Sequence, residues 1–287
     1  MMRVVVLGAS GYIGRNFLRF AQGRLSCIPA SMRGDAWRAR VRAGADAVLC
    51  CAGVAHRRAS KADLPLFYEG NCHLAVEAAQ EARRAGVEQF IYLSSMSVYG
   101  PHTGAITADT APAPKKGDPY GMSKRLAEKS LLAFVQGGGY AAIVRPPMVY
   151  GPGCPGNFPR LCALVEKLPR FPEVENRRSM IYIDNLCDYL TRVIETRAHG
   201  VFLPQDEAPH STTDLARLIA AAQGGELRTT RLMNPAIRLM QGAVPPLRKL
   251  FGDLYYAPGA DRAAPEQLRF VPFEEAVRRS VSGEGAR

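Results

Sequence analysis

The feature that most constrains this chain is its opening, where Arg3-Val4-Val5-Val6-Leu7 runs directly into Gly8-Ala9-Ser10-Gly11-Tyr12-Ile13-Gly14. A short β-branched run ending in glycine reads as a buried parallel strand, and helical character follows from Gly11 to Gln22. Each glycine of this G-x-x-G-x-x-G pattern has a physical task at such a junction. Gly8 permits the tight turn, Gly11 lets the backbone approach a pyrophosphate, and Gly14 lets the helix pack against the strand. The helix start then offers unpaired N–H groups and the positive end of its dipole to phosphate. The loop therefore predicts a dinucleotide site made by Gly8, Ser10, Gly11, Tyr12, Ile13 and Gly14.

The rest of the first half repeats the alternation. Ala47 to Ala52 reads as a second buried strand, Asn71 to Ala85 as an amphipathic helix, and Gln89 to Leu93 as a third strand. A long helix is expected over Tyr120 to Val135, stopped by Gly137 to Gly139, before a strand at Ala141 to Arg145. Strands alternating with helices at these spacings predict an α/β fold with a Rossmann-like, doubly wound parallel sheet. After Pro147 the chain becomes rich in Pro and Gly. It is expected to add a smaller C-terminal substrate-binding lobe over residues 151–176 and 204–287, with 177–203 returning to the dinucleotide-binding domain of residues 1–150. Only Ser26 to Met32 can supply a strand between the first helix and Ala47, so a shortened second-strand region is expected. An acidic residue about 20 residues beyond the glycines commonly holds the adenosine ribose. Here Arg33 would suit a 2′-phosphate and NADP, whereas Asp35 would suit free hydroxyls and NAD; both stay open.

A second motif carries the chemistry. Tyr120-Gly121-Met122-Ser123-Lys124 puts a phenol and an ammonium on one face of a helix start. A nearby ammonium favours the phenolate and draws its pKa toward the working pH. Ser94-Ser95-Met96-Ser97-Val98-Tyr99-Gly100 follows the third strand at its carboxyl end, where open parallel sheets place their active sites. Ser95 can hydrogen-bond a substrate oxygen during hydride transfer, with Ser97 as the alternative hydroxyl. Tyr99 and Tyr150 are read as packing residues.

Composition narrows the partners. The 287 residues carry a formal charge of +11, spread along the chain as Arg without a basic block. That pattern fits an anionic nucleotide ligand better than nucleic acid, and no nucleic-acid partner is expected. Seven cysteines without a C-x-x-C pair read as reduced core thiols of a cytoplasmic protein. Five scattered histidines give no ligand spacing, and no metal is expected. No run of about 18 apolar residues occurs, and the immediate entry into a strand argues against a secretory signal. Leu232 to Phe251 mixes Leu, Met and Ile with Arg238, Arg248 and Lys249, but Pro235, Pro245 and Pro246 interrupt any long amphipathic helix. It is read as a helix of the substrate lobe, and no membrane partner is expected.

With these motifs in place, the chain resembles the extended short-chain dehydrogenase/reductase, or NAD-dependent epimerase/dehydratase, family. GASGYIG, LSSMSVYG, YGMSK and RPPMVYGPG (145–153) fall in that order, and NRRSMIYIDNL looks like the family's later arginine-then-strand element. The likeness runs from residue 4 to about 205 and fades toward the C-terminus. It implies Tyr120 as acid/base, Lys124 as its activator and ribose ligand, and Ser95 as the residue orienting the reacting oxygen. It implies that Ala52, Gly53 and Pro147 lie along the cofactor. It also implies that Asn71, Met96 and Ser97 border the substrate, and that Asn157 and Arg178 meet its diphosphate; Asn157 read alone is equally a loop cap, and Arg178 a solvent-facing side chain. The implied substrate is a nucleotide-activated sugar, usually UDP-linked, and the implied cofactor is NAD, with NADP possible. The leaning is to a 4-epimerase acting by transient hydride transfer at C4. A one-way 4-keto-sugar reductase uses the same residues, whereas dehydration is disfavoured because Ser95-Met96-Ser97 contains no carboxylate. A non-catalytic dinucleotide sensor is the reading from another class. A homodimer is implied by analogy.

Overall fold

The computed structural model describes residues 1–55, 63–136 and 141–284; the expected stop at Gly137 to Gly139 lies outside them. Strand β1 (Arg3–Leu7) leads through the glycine loop into α1 (Tyr12–Phe20), then β2 (Ser26–Ala30), α2 (Ala36–Arg42) and β3 (Ala47–Cys50). Helices α3 (Leu64–Tyr68) and α4 (Leu74–Arg84) are joined by a π-helical turn over Glu69–His73, and β4 (Gln89–Leu93) follows. After a 3₁₀ turn at Met96–Tyr99 come β5 (Gly104–Ile106), α5 (Pro119–Gln136), β6 (Ala141–Val144), β7 (Met148–Tyr150), α6 (Asn157–Lys167) and β8 (Phe171–Pro172). The chain then forms β9 (Met180–Tyr182), α7 (Ile183–Glu195), β10 (Gly200–Phe202), α8 (Thr212–Ala222) and β11 (Thr229–Thr230). It ends with α9 (Asn234–Met240), α10 (Pro245–Phe251), β12 (Leu254–Tyr256) and α11 (Phe273–Ser282).

Six strands form one sheet in the order β10-β6-β4-β3-β1-β2, and every pairing is parallel. Alternate side chains of each strand enter opposite cores, as period-2 geometry requires. Val4, Val6, Leu49, Ile91 and Val144 pack with Phe17 of α1 and with Leu186 and Leu190 of α7. Val5, Leu7, Val48, Tyr92 and Ile143 pack on the other side with Trp37 of α2, Ala78 of α4 and Leu131 of α5. A sheet buried on both faces explains why its strands read as unbroken apolar runs.

The expected shortening is present: among the described residues β2 is the only strand beyond β1, and it ends the sheet. Pro29 sits in it, which an edge strand tolerates because one side of its ladder is empty. The helix α2 was not legible from periodicity, being seven residues long with five Arg or Ala positions that fit any surface turn. The helix expected at Asn71 begins at Leu64 and passes through the π turn. The chain after β6 adds one more strand to the sheet, β10 beside β6, and otherwise forms the short parallel pairs β7·β9, β5·β12 and β8·β11.

Candidate functional site

The sheet's connectivity changes direction between β1 and β3, and folds of this kind bind their ligands at the carboxyl edge beside such a switch point. Gly8 turns there with φ +82°, and a Cβ on it would lie 2.6 Å from the backbone N of Ala52. The β1 and β3 loops are thus in backbone contact, and no side chain fits between them. A Cβ on Gly14 would collide with the Gly8 carbonyl oxygen, so the helix can lie this close to the strand only with glycine. Gly11 meets only the Gly8 oxygen, at 3.2 Å, leaving its outer side open. The start of α1 has no side-chain cap and no acidic residue in its first turn. Its free N–H groups and uncompensated dipole fit a pyrophosphate. Ser10 and Gly11 are exposed beside it. Tyr12 has a different place: its buried hydroxyl lies against Gly151 and has no hydrogen-bond partner among the described residues.

Across the sheet, α5 carries the chemistry-bearing residues on its inward stripe. Ser123, Lys124, Ala127, Glu128 and Leu131 are buried at helical spacing, so polar groups replace part of an apolar seam. Pro119 begins the helix, and Asp118 Oδ1 accepts the Tyr120 N–H at 3.2 Å, the capping geometry that fixes where Tyr120 sits. Gly121 is the point of closest approach to the serine turn, since a Cβ there would lie 2.7 Å from the Ser97 carbonyl oxygen. That contact brings Tyr120 to Ser95, whose hydroxyl interacts with the phenol. Ser95 Oγ also accepts the Ser97 N–H at 3.1 Å and lies 3.2 Å from Ser97 Oγ, so the two candidate hydroxyls are neighbours.

Lys124 is buried and donates to the Leu93 carbonyl at 2.8 Å, with its ammonium 4.7 Å from the Tyr92 ring centroid. Burial lowers its pKa to about 8. The expectation that Lys124 draws the Tyr120 pKa down is not met. Burial holds the phenol above its ordinary value, Ser95 opposes that rise, Asp118 adds to it, and Lys124 is turned toward the strand. Gly53 lies against both the π turn and α5: a Cβ on it would meet Asn71 Oδ1 at 2.6 Å and Lys124 Nζ at 3.2 Å.

Asn71 holds this corner together. Its Oδ1 accepts the Val54 N–H at 2.7 Å, and its Nδ2 donates to the Val54 carbonyl and to Ser123 Oγ, both at 3.1 Å. Its own carbonyl accepts the Tyr92 hydroxyl at 2.6 Å. The π turn that contains Asn71 departs from regular α-helical bonding, a feature frequent at functional sites.

Other expected residues fall elsewhere. Met96 is buried with Val98, Tyr99 and Tyr256, so its side chain packs rather than lines the opening. Asn157 is exposed as the first residue of α6; Gly156, with φ +95°, holds the cap position, so Asn157 is not a loop cap. Arg178 does not face solvent: its Nη1 donates to the Gly252 carbonyl at 2.8 Å, and burial lowers its pKa. Pro147 is buried just beyond β6. Arg33 is exposed with no ion-pair partner among the described residues, whereas Asp35 bonds Arg38 Nε at 3.1 Å. No group of three or more His, Cys, Asp or Glu among the described residues is placed to hold a metal ion.

Sequence reasoning missed the network beneath the site. Glu128 is fully buried and takes Arg145 Nε and Nη2 at 2.8 and 2.9 Å, Arg125 Nη1 at 3.0 Å and Ser94 Oγ at 2.6 Å. Arg145 Nη1 also donates to the Tyr99 hydroxyl at 2.8 Å, so Tyr99 does more than pack. Tyr150 likewise donates to buried Asp206 at 2.9 Å. The available signal was that Glu128 stands one helical turn beyond Lys124, on the same face.

A model of the NAD dependent epimerase/dehydratase family matches residues 4–202. The chain belongs to that family, as its motifs and its parallel sheet lead one to expect. It is 37% identical over 186 residues to the UDP-glucose 4-epimerase of Vibrio cholerae, an alignment covering 61% of this chain and 56% of that enzyme. The match thus spans little more than half the length of that relative. It is 25% identical over 277 residues to the ceramide reductase of Caulobacter vibrioides, covering 84% of this chain and 76% of that one. The solved UDP-glucuronic acid 4-epimerase of Bacillus cereus, in complex with NAD, is similar with a TM-score of 0.75 at 16% identity, covering 98% of this chain and 96% of that one. At that identity the likeness concerns the fold.

Proposed function

We propose that this chain is a nicotinamide-dependent nucleotide-sugar 4-epimerase of the UDP-hexose type. The observation that carries the reading is the convergence of Ser95, Tyr120 and Lys124 at the sheet edge that holds the glycine cradle, with no carboxylate in the Ser95-Met96-Ser97 turn. The backbone from Gly8 to Gly14 would hold the pyrophosphate, with Ala52, Gly53 and Lys124 along the nicotinamide half. The bound dinucleotide supplies the acceptor and donor for the hydrogen on the sugar's C4. Ser95 orients the 4-oxygen, and Tyr120 removes and returns its proton. Lys124, turned toward β4 and beside Gly53, would hold the ribose of the bound dinucleotide and is charged at neutral pH. Arg178 and Asn157 are proposed to meet the diphosphate, Arg178 by releasing the Gly252 carbonyl.

Replacing Tyr120 with Phe removes the proton path without disturbing packing. Interconversion of UDP-glucose and UDP-galactose should fall roughly 10²–10⁴-fold while the melting curve stays in place. Unchanged turnover would sink the mechanism. Denaturing freshly purified protein and identifying any released dinucleotide separates the readings. Stoichiometric NAD⁺ supports a cofactor that recycles within one site.

One-way reduction of a 4-keto sugar nucleotide is the second reading. It is favoured by the Tyr120 phenol, which burial holds in its protonated, proton-donating form, and by the broad alignment with a reductase. An empty site that binds added NADPH or NADH supports it, and the preferred dinucleotide shows whether Arg33 or Asp35 reads the ribose. A cytoplasmic homodimer accompanies either reading, and sedimentation velocity tests its oligomeric part.

A further inference from the structure

The segment from Leu232 to Phe251 does not behave as a covered helix of the substrate lobe. Seven large apolar side chains are exposed among the described residues, and four of them lie between residues 232 and 240. Leu232 is 90% exposed, Leu239 85%, Met233 44% and Met240 43%. The remaining three, Met1, Leu66 and Leu126, are scattered, as single exposed apolar residues normally are.

The exposed side chains are presented by an anchored element. Ile237 of α9 is buried in the main core, Asn234 Nδ2 donates to the Glu173 carbonyl at 2.8 Å, and Gln241 Nε2 to the Phe251 carbonyl at 3.3 Å. The two leucines are therefore held outward on a fixed helix and its entry. The stretch from Leu227 to Gly252 contains five basic residues and no acidic one. Arg231 is taken by Glu173 and Glu175, but Arg228, Arg238, Arg248 and Lys249 have no ion-pair partner among the described residues.

Leu and Met interleaved with unpaired Arg and Lys, without acids, is the chemistry of a segment that lies in a lipid interface. Protein–protein contacts also use Met and Arg, but they lean on aromatic anchors, absent from the exposed positions here, and are depleted of Lys. We infer that α9, its entry at Leu232 and α10 dock on an anionic lipid surface, the apolar side chains entering the interface and the free cations meeting head groups. The prolines do divide the segment into two short helices, as the sequence predicts. Interfacial docking needs no long helix, only an apolar patch and charge beside it, and the proposal reverses the expectation of no membrane partner. Among the described residues, no helix is long and apolar enough to cross a membrane, so the association is peripheral.

The docked segment adjoins the candidate site, because Gly252, which ends α10, is the residue whose carbonyl Arg178 holds. The inference itself does not depend on which reaction the site performs.

The test is co-sedimentation of the full chain with vesicles of phosphatidylcholine alone and of phosphatidylcholine mixed with phosphatidylglycerol. Apparent affinity should rise about tenfold or more with the anionic lipid and fall as salt is added. The double variant Leu232→Ser/Leu239→Ser should lose about tenfold or more of that affinity while its melting curve and dinucleotide binding stay unchanged. Arg248→Gln/Lys249→Gln should lose only the anionic preference. Absence of vesicle binding would overturn the inference, as would binding that the leucine variant does not weaken. A concentration-dependent dimer that the leucine variant dissolves would also overturn it, by assigning the face to a second copy of the chain.

Discussion

The glycine cradle and the catalytic wall stand at the same sheet edge but are held by opposite means. The cradle is shaped by the absence of side chains: Gly8 against Ala52 and Gly14 against Gly8 are backbone contacts that any Cβ would break. The wall is shaped by buried charge: Ser94, Glu128, Arg145 and Tyr99 form one hydrogen-bonded cluster joining β4, α5 and the end of β6. Steric shaping is local and rigid, whereas the wall depends on several segments far apart in sequence satisfying one another. The two should therefore fail differently when perturbed.

Removal of Glu128 should have the largest effect on folding. Glu128→Ala leaves buried Arg145 without its counter-charge and should cost roughly 3–5 kcal/mol in urea unfolding. Replacing both partners together, as Glu128→Met/Arg145→Met, should cost markedly less, because no charge is then stranded. If the single and double variants are equally unstable, the cluster acts through volume rather than charge and the contrast with the cradle disappears.

Gly8→Ala comes next. Its strain is the positive φ plus the approach to Ala52, on the order of 1–3 kcal/mol for the backbone alone. The loss should appear chiefly as weakened dinucleotide binding by fluorescence titration, with the α5 side of the site intact. Retained affinity would show that the two loops can part without consequence.

Two smaller effects depend on pH. Asp206 is buried and hydrogen-bonded by Asn185, Tyr150 and the Tyr182 N–H, all neutral donors, and burial raises its pKa to about 6. An acid whose native pKa exceeds its unfolded value binds its proton more tightly when folded. Its contribution is present below about pH 4 and is lost as pH rises through 6, up to about 3 kcal/mol. Asp206→Asn should flatten the stability–pH curve in that window; an unchanged slope would assign it to another group. The smallest effect concerns activity. With its pKa lowered to about 8, Lys124 gives up its charge above that pH, and kcat/KM should decline there. A profile flat to pH 10 would show that its charge is not needed.

How far the site was legible follows from this contrast. Gly8, Gly11 and Gly14 announce themselves because one loop must hold all three at fixed spacing. Tyr120 and Lys124 are legible because a helix brings i and i+4 together. The direction of the Tyr120 pKa was misread, because spacing does not say where an ammonium turns, and Leu93 takes it. Where Met96 packs was illegible for a similar reason: adjacency to Ser95 does not fix which side of the turn a side chain packs on.

By itself the sequence determined the alternation of strands and helices, the shortened edge at β2 and the family, since these rest on local periodicity and on residues close in the chain. The tertiary structure decided the rest. It brought Glu128 to Arg145, Asn71 to Val54 and Gly53 to Lys124, closed Arg178 onto Gly252, and left Leu232 and Leu239 uncovered. Each is a meeting, or a missed meeting, between segments remote in sequence. Burial and hydrogen bonding act on what is near in space, and only the packed sheet decides that.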